Sequence, residues 1–296
     1  PFIGIILILF FFSIQTYAQN AGNYTPKYSN PFTEQWRWES FPELIGKGCR
    51  CMIEDGKKIL WFGLNGGVMR YDGMNWKFFA LTKDSSEVPV VSLCSASDGS
   101  LYIGTAKGIY TLKNGKCKSI PLSLDFGDPV EHPYNKVPII EASDKSIFIG
   151  SHQGIIRLKD NKIILYRENS AFADPAKFGE LKKFPLFDVY SIVENKSGKL
   201  WLGLIDGRIY ECKINNADFY SNLSWTRIDE ERGYVRTKYP MIRIASSGKV
   251  FIASGWNDGG INIKDGSTWR LFKSQHEFDI DDLYSDIIEM KDGSIC

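Results

Sequence analysis

Histidine is scarce in this chain. His132, His152 and His276 are the whole supply in 296 residues, and no two of them stand at the spacing of a metal-ligand pair. Three scattered histidines read as surface residues in turns and linkers and not as an imidazole metal site. Charge of one sign is also missing: 36 basic and 35 acidic residues give a formal net charge of +1. So small an excess neutralises few phosphates, and Lys182-Lys183 is too small a basic cluster for a nucleic-acid surface. No Gly-x-Ser-x-Gly elbow, P-loop or Gly-x-Gly-x-x-Gly fingerprint occurs. The six cysteines include no CxxC pair. Cys49 and Cys51 are one residue apart, which on a strand points both thiols to one face and strains a bridge between them. Cys94 lies in an apolar strand and Cys296 is the last residue, so reduced, buried thiols are expected rather than a disulfide framework or zinc. The acidic run Glu277-Phe278-Asp279-Ile280-Asp281-Asp282 lacks the glycine and spacing of a calcium loop and reads as a solvated linker. Nothing makes a positive case for catalysis, a metal or a cofactor.

One long apolar run is present, and it is at the front. Phe2 to Phe12 is almost wholly apolar, and Ser13 to Gln19 turns polar, with small residues at Thr16 and Ala18. This fits a secretory signal peptide over residues 1–18, cut after Ala18, followed by a linker over 19–31. The alternative, an uncleaved anchor, is short for a membrane span. No initiator Met or basic segment precedes Pro1, so the chain is expected to be a fragment at this end.

The rest of the sequence, 32–296, repeats. Leu60-Trp61-Phe62-Gly63, Leu101-Tyr102-Ile103-Gly104, Ile147-Phe148-Ile149-Gly150 and Leu200-Trp201-Leu202-Gly203 are copies of one strand, and Val250-Phe251-Ile252-Ala253 is a fifth. The closing small residues are spaced by 41, 46, 53 and 50 positions. A period of that size means one supersecondary unit stacked on copies of itself.

Each unit reads as four strands. An apolar first strand ends in a turn carrying Asp55-Gly56, Asp98-Gly99, Asp144-Lys145, Ser197-Gly198 or Ser247-Gly248, residues suited to tight hairpins. The anchor strand follows, then a third strand opening on Gly67, Gly108, Gly154, Gly207 or Gly260. A fourth strand is clear at Trp76-Lys77-Phe78, Ile163 to Tyr166 and Trp269 to Phe272, and degenerate after Glu211. Anchor strands are apolar at consecutive positions, as in a sheet covered on both faces. The expected fold is all-β: a β-propeller of four-stranded antiparallel blades, with a β-solenoid as the less fitting alternative. Five blades and the opening of a sixth are present, because Ser285 to Met290 repeats a first strand and Ile295-Cys296 starts an anchor strand. A ring of seven or more blades, truncated here at the C-terminus, is expected.

The segments DGSLYIGTAKGIY (98–110) and LWFGLNGGVMRYDGMNW (60–76) resemble the two-component-regulator propeller repeat. Phe148 and Phe251 in place of tryptophan, and Ala253 in place of glycine, depart from its pattern. The resemblance implies the periplasmic sensor region of a membrane-spanning regulator. Its output, a cytoplasmic histidine kinase or DNA-binding module, lies outside these residues. It also implies an oligosaccharide or other small-molecule ligand, with a homodimer formed through the parent protein and membrane contact only through missing C-terminal parts.

Connection lengths place the ligand. First-to-second and third-to-fourth turns are short, whereas the linkers between blades are long and uneven and share a face with the second-to-third turns. Those turns carry Asn65, Lys107, His152, Gln153, Asp206, Trp256, Asn257 and Asp258. Trp256 beside an amide and a carboxylate suits a sugar ring, although an ordinary hairpin with a rim tryptophan reads the same way. A secreted propeller lyase or lactonase is the competing function, and a protein-binding scaffold the third. The enzyme would need polar groups converging at the inner strands, which offer Glu54, Glu141, Glu194, Arg243 and Glu289. The four glutamates stand at equivalent places in the repeat and are expected to cap turn amides.

Overall fold

The computed structural model describes residues 40–82, 88–122, 137–152, 154–160, 162–166, 188–213, 225–254, 260–272, 287–290, 293 and 295. The chain divides into two units, Pro1–Pro42 and Glu43–Cys296. The expected signal segment and linker lie outside the described residues, and every described strand lies in the second unit. No described helix is long and apolar enough to cross a membrane.

Five four-stranded antiparallel sheets follow one another in chain order. The first blade is β1 (Cys51–Glu54), β2 (Leu60–Leu64), β3 (Gly67–Tyr71) and β4 (Trp76–Ala80). The second is β5 (Val90–Ser95), β6 (Leu101–Thr105), β7 (Gly108–Lys113) and β8 (Lys116–Ser119). The third is β9 (Ile139–Glu141), β10 (Ile147–Ser151), β11 (Gly154–Lys159) and β12 (Lys162–Tyr166). The fourth is β13 (Val189–Glu194), β14 (Lys199–Leu204), β15 (Ile209–Lys213) and β16 (Trp225–Arg227). The fifth is β17 (Pro240–Ile244), β18 (Val250–Ser254), β19 (Ile261–Asp265) and β20 (Thr268–Phe272). A bridge between Glu289 and Ile295 repeats the Glu194–Leu200 register, so a sixth unit opens as its sequence requires. The first strands β1, β5, β9, β13 and β17 are innermost and follow one another around a central channel.

The cores lie between blades. Ile139 and Ile149 of the third blade bury against Cys94 and Ile109 of the second, and Ile242 and Ile252 of the fifth against Trp201 and Ile209 of the fourth. The anchor glycines make this stacking possible. A Cβ on Gly63 would stand 2.6 Å from Val90 of the next blade, and one on Gly150 2.7 Å from Val189. At Gly203 it would meet Ser191 at 2.6 Å and Pro240 of the next blade at 2.8 Å. The fifth anchor strand ends in Ala253, but each glycine-ended one stops where the next blade's entry side chain lies flat against its backbone. No side chain larger than hydrogen fits there without repacking.

The first turns share one geometry, and the sequence misplaces one of its residues. The backbone enters the left-handed region at Lys58, Gly99, Lys145, Gly198, Gly248 and Gly293, six equivalent positions. In the first blade that residue is Lys58 and not Gly56. Asp55 sets this shape by accepting bonds from the N–H groups of Lys57 (2.8 Å) and Ile59 (3.1 Å) and from the Trp61 indole (3.0 Å). Where Phe148 replaces the tryptophan, Arg157 lies 5.5 Å over its ring and pairs with Asp144 instead. That substitution keeps the turn anchored by a different donor.

The five described cysteines are free. Cys94 and Cys212 are buried, and burial pushes the Cys94 thiol up to about 11. Cys49 is exposed and precedes β1, which corrects the expectation of buried thiols at that position.

Candidate functional site

The blades present two faces of different construction. On the face of the first turns, glutamates from one blade grip the turn of the blade before it. Glu141 accepts both the N–H (2.9 Å) and the hydroxyl (2.7 Å) of Ser97, and Glu194 accepts the same pair from Ser143 at 2.6 Å each. Glu289 repeats the grip on Ser246 at 2.8 and 2.6 Å, and these bonds hold its carboxyl below the usual range. Three of the four expected capping roles are therefore met, and across blades rather than within one. Glu54 departs from the set and pairs with Lys58 at 2.5 Å. Where the glutamate position holds Ser95 or Ile244, the serine position of the preceding blade holds Gly56 or Lys196. Both halves of the clasp are lost together.

The opposite face carries the second-to-third turns and the blade linkers. Its inner edge is stitched by backbone bonds. The Tyr239 N–H donates to Ile205 O (3.0 Å), Ile205 to Asp188 O (2.9 Å) and Asp188 to His152 O (3.0 Å), linking the fifth, fourth and third blades. Asp188 and Tyr239 reach these positions with φ of 57° and 51°, a conformation that side chains other than glycine adopt at a cost of about 1–3 kcal/mol. Between the first and second blades the polarity is reversed, with the turn residue Gly66 donating to Val88 O of the next blade's entry at 2.8 Å. At Gly207 (φ +89°) any Cβ would collide with Thr237 O, so a glycine is required where the linker crosses the turn.

The backbone bonds leave polar side chains on this face. Asn65 is exposed, and its Oδ1 accepts from Arg50 at 2.6 Å. Lys107 is exposed on a turn fixed by Thr105. The Nδ1 of His152 meets Asp188 Oδ1. Asp206 binds Arg208 Nε at 2.6 Å and lies 3.6 Å from Arg236. Four of the eight expected residues thus occupy equivalent turns of four successive blades. Gln153, Trp256, Asn257 and Asp258 lie outside the described residues. Sequence spacing did not reveal the His152–Asp188 pair, which joins residues 36 positions apart.

Between the blades runs a central channel holding a cavity of about 610 Å³. Its wall is built from the inner strands, with Met52, Val91, Leu93, Ile140, Ile192 and Ile288 supplying apolar surface. Among the described residues, two charged ones line it, Arg50 and Arg243, and no Asp or Glu does. Of the residues expected near the inner strands, only Arg243 faces this cavity. Among the described residues, no three His, Cys, Asp or Glu side chains gather as a metal site.

No protein-family model and no curated protein sequence matches the chain. Solved structures do. The extracellular domain assigned to the hybrid two-component system BT3049 of B. thetaiotaomicron superposes with a TM-score of 0.59 at 21% identity, over 85% of this chain and 32% of that one. Streptogramin B lyase gives 0.58 at 15% identity, over 83% of this chain and 74% of that one. Virginiamycin B lyase from Staphylococcus aureus gives 0.54 at 14%, over 77% and 70%. The fold is a β-propeller. This chain spans about a third of the length of the BT3049 domain, and the structures that share its fold include both sensor regions and lyases.

Proposed function

We propose that this propeller is the extracytoplasmic ligand-sensing region of a membrane-spanning two-component regulator. It lies on the periplasmic side of the inner membrane and passes its signal to a cytoplasmic histidine kinase or DNA-binding module outside these residues. The ligand is an oligosaccharide, bound on the linker face by Asn65, Lys107, His152, Gln153, Asp206, Trp256, Asn257 and Asp258. The observation that carries this reading is the division of labour between the faces. Three glutamates on the first-turn face are committed to holding blades together, while the linker face joins its blades through backbone bonds and carries an amide, an ammonium, an imidazole and carboxylates. The apolar leader, the repeat motifs and the likeness to an extracellular sensor domain point the same way.

The lyase reading is less well supported. Three of the inner-strand glutamates it would use for acid–base work are bound in clasps, and none lines the channel. Titrating the purified chain with a panel of plant and host oligosaccharides, followed by melting temperature and product analysis, tests the proposal. A rise in melting temperature with an intact glycan is expected. No shift with any glycan, or turnover of one, overturns it.

A further inference from the structure

We propose that the linker from the fourth blade to the fifth is a latch, with Asn262 as its positioning residue. It couples the Asp206 turn on the linker face to the seam between those two blades. The segment 228–239 leaves β16, enters β17 and is described from end to end. Its middle crosses to the fifth blade. Glu231 accepts from the Trp269 indole of β20 at 2.7 Å and pairs with Lys264 of β19, and Tyr234 meets the Trp269 ring edge-on at 5.0 Å. Its last residues return to the fourth blade. Arg236 donates from Nε to Asp206 O at 3.2 Å, and the Tyr239 N–H reaches Ile205 O at 3.0 Å.

The repeat breaks at the two β19 residues that hold this segment. Asn262 stands at the position of Met69, Tyr110, Ile156 and Tyr210, and Lys264 at that of Tyr71, Leu112, Leu158 and Cys212. The other four blades are built without an amide or a charge there, so blade stacking calls for neither. Asn262 is fully buried and commits its amide to one residue. Its Oδ1 accepts from the Val235 N–H at 2.9 Å, and its Nδ2 donates to Val235 O at 2.8 Å. A buried amide without such partners is unfavourable, so Asn262 and Val235 hold each other in place. Departures from a repeat's own rule concentrate where function is carried.

Arg236 is the next residue, so the Asn262 pairing sets where its guanidinium meets the Asp206 turn, 3.6 Å from the carboxylate. Thr237 O lies against Gly207 of the same turn, which ties any shift of the turn to the linker. At the other end Lys264 holds its ammonium 5.9 Å from the Trp201 ring of the fourth blade, across the seam. That seam lacks the serine–glutamate clasp, and Lys196 reaches Ser246 O in its place. One element thus touches both a turn of the linker face and an unclasped seam, so a change at either end biases the other. That a ligand at Asp206 works the latch rests on the linker-face reading; the coupling within the free chain does not.

Amide hydrogen exchange on the whole chain, with no ligand added, tests the coupling in both directions. Asn262→Met, which installs the residue of the first blade, should speed exchange at Ile205 and Tyr239 about tenfold. Asp206→Ala should speed the Val235 amide by a similar factor, because coupling between sites is reciprocal. Lys116→Gln on β8 should change neither. No response at the far end in folded protein overturns the proposal, as does a response in one direction only. An equal rise in all five blades also overturns it, since a loss of stability alone would give that. Should Asn262→Met fail to fold, the exposed Asp206→Ala variant decides the matter. A chain that shows the two-way response yet binds no member of the oligosaccharide panel keeps the latch and overturns only the ligand.

Discussion

The clasp face and the linker face use the same kinds of residue for opposite purposes. On the first, Glu141, Glu194 and Glu289 each spend both carboxylate oxygens on a neighbouring blade's serine. On the second, backbone groups join the blades, Asn65 and Lys107 are exposed, and His152 and Asp206 pair with Asp188 and with Arg208 and Arg236. A repeat protein has to hold its units in register somewhere. Confining the serine–glutamate clasps to one face and joining the other through its backbone leaves the side chains of the linker face free to vary.

The comparison breaks most severely at the anchors. Gly203→Val drives a branched side chain into Ser191 and Pro240 and should cost about 3 kcal/mol, read as a lower denaturation midpoint. Glu194→Ala removes a two-bond clasp and should cost about 1–2 kcal/mol. Ser143→Ala in the same background should then add little, because the pair acts as a unit. A loss as large as in the Glu194 parent would mean that the clasp is decorative.

A third effect appears only in acid. Burial raises the Asp144 carboxyl, but its bonds to Lys159 and Ser146 and the charge of Arg157 outweigh that and hold it at about 2. A depressed folded value contributes stability above the ordinary carboxylate range near 3.8, and that contribution disappears as pH falls through about 2. Asp144→Asn should flatten the stability profile between those limits, measured by urea titration at stepped pH. The smallest change is a gain. Lys58→Gly relieves a left-handed backbone at φ 66° and should stabilise by about 0.5–1 kcal/mol.

The period of the anchor strands made the blades legible, since glycine recurs where the next blade must touch backbone. The clasping glutamates were legible too, because equivalent positions in a repeat imply equivalent roles. Other elements left no local trace. β8 is the polar run Lys116-Cys117-Lys118-Ser119, with no alternation to mark a strand, and β16 follows an interval of eleven residues after β15. The left-handed residue of the first blade's turn was assigned to Gly56 by composition, whereas the hydrogen-bond pattern of the turn puts it at Lys58. Arg50 as a channel residue could not be read at all. Sequence places it beside a strand, but which side of that strand looks into the channel depends on how the blades pack.

Amide hydrogen exchange on the purified chain, with and without a glycan that raises its melting temperature, tests the division of faces most directly. The account predicts ligand protection at residues 65–66, 106–107, 152 and 205–207, with the clasp turns at 96–99, 143–145, 195–198 and 245–248 unchanged. Protection confined to the clasp turns would contradict it.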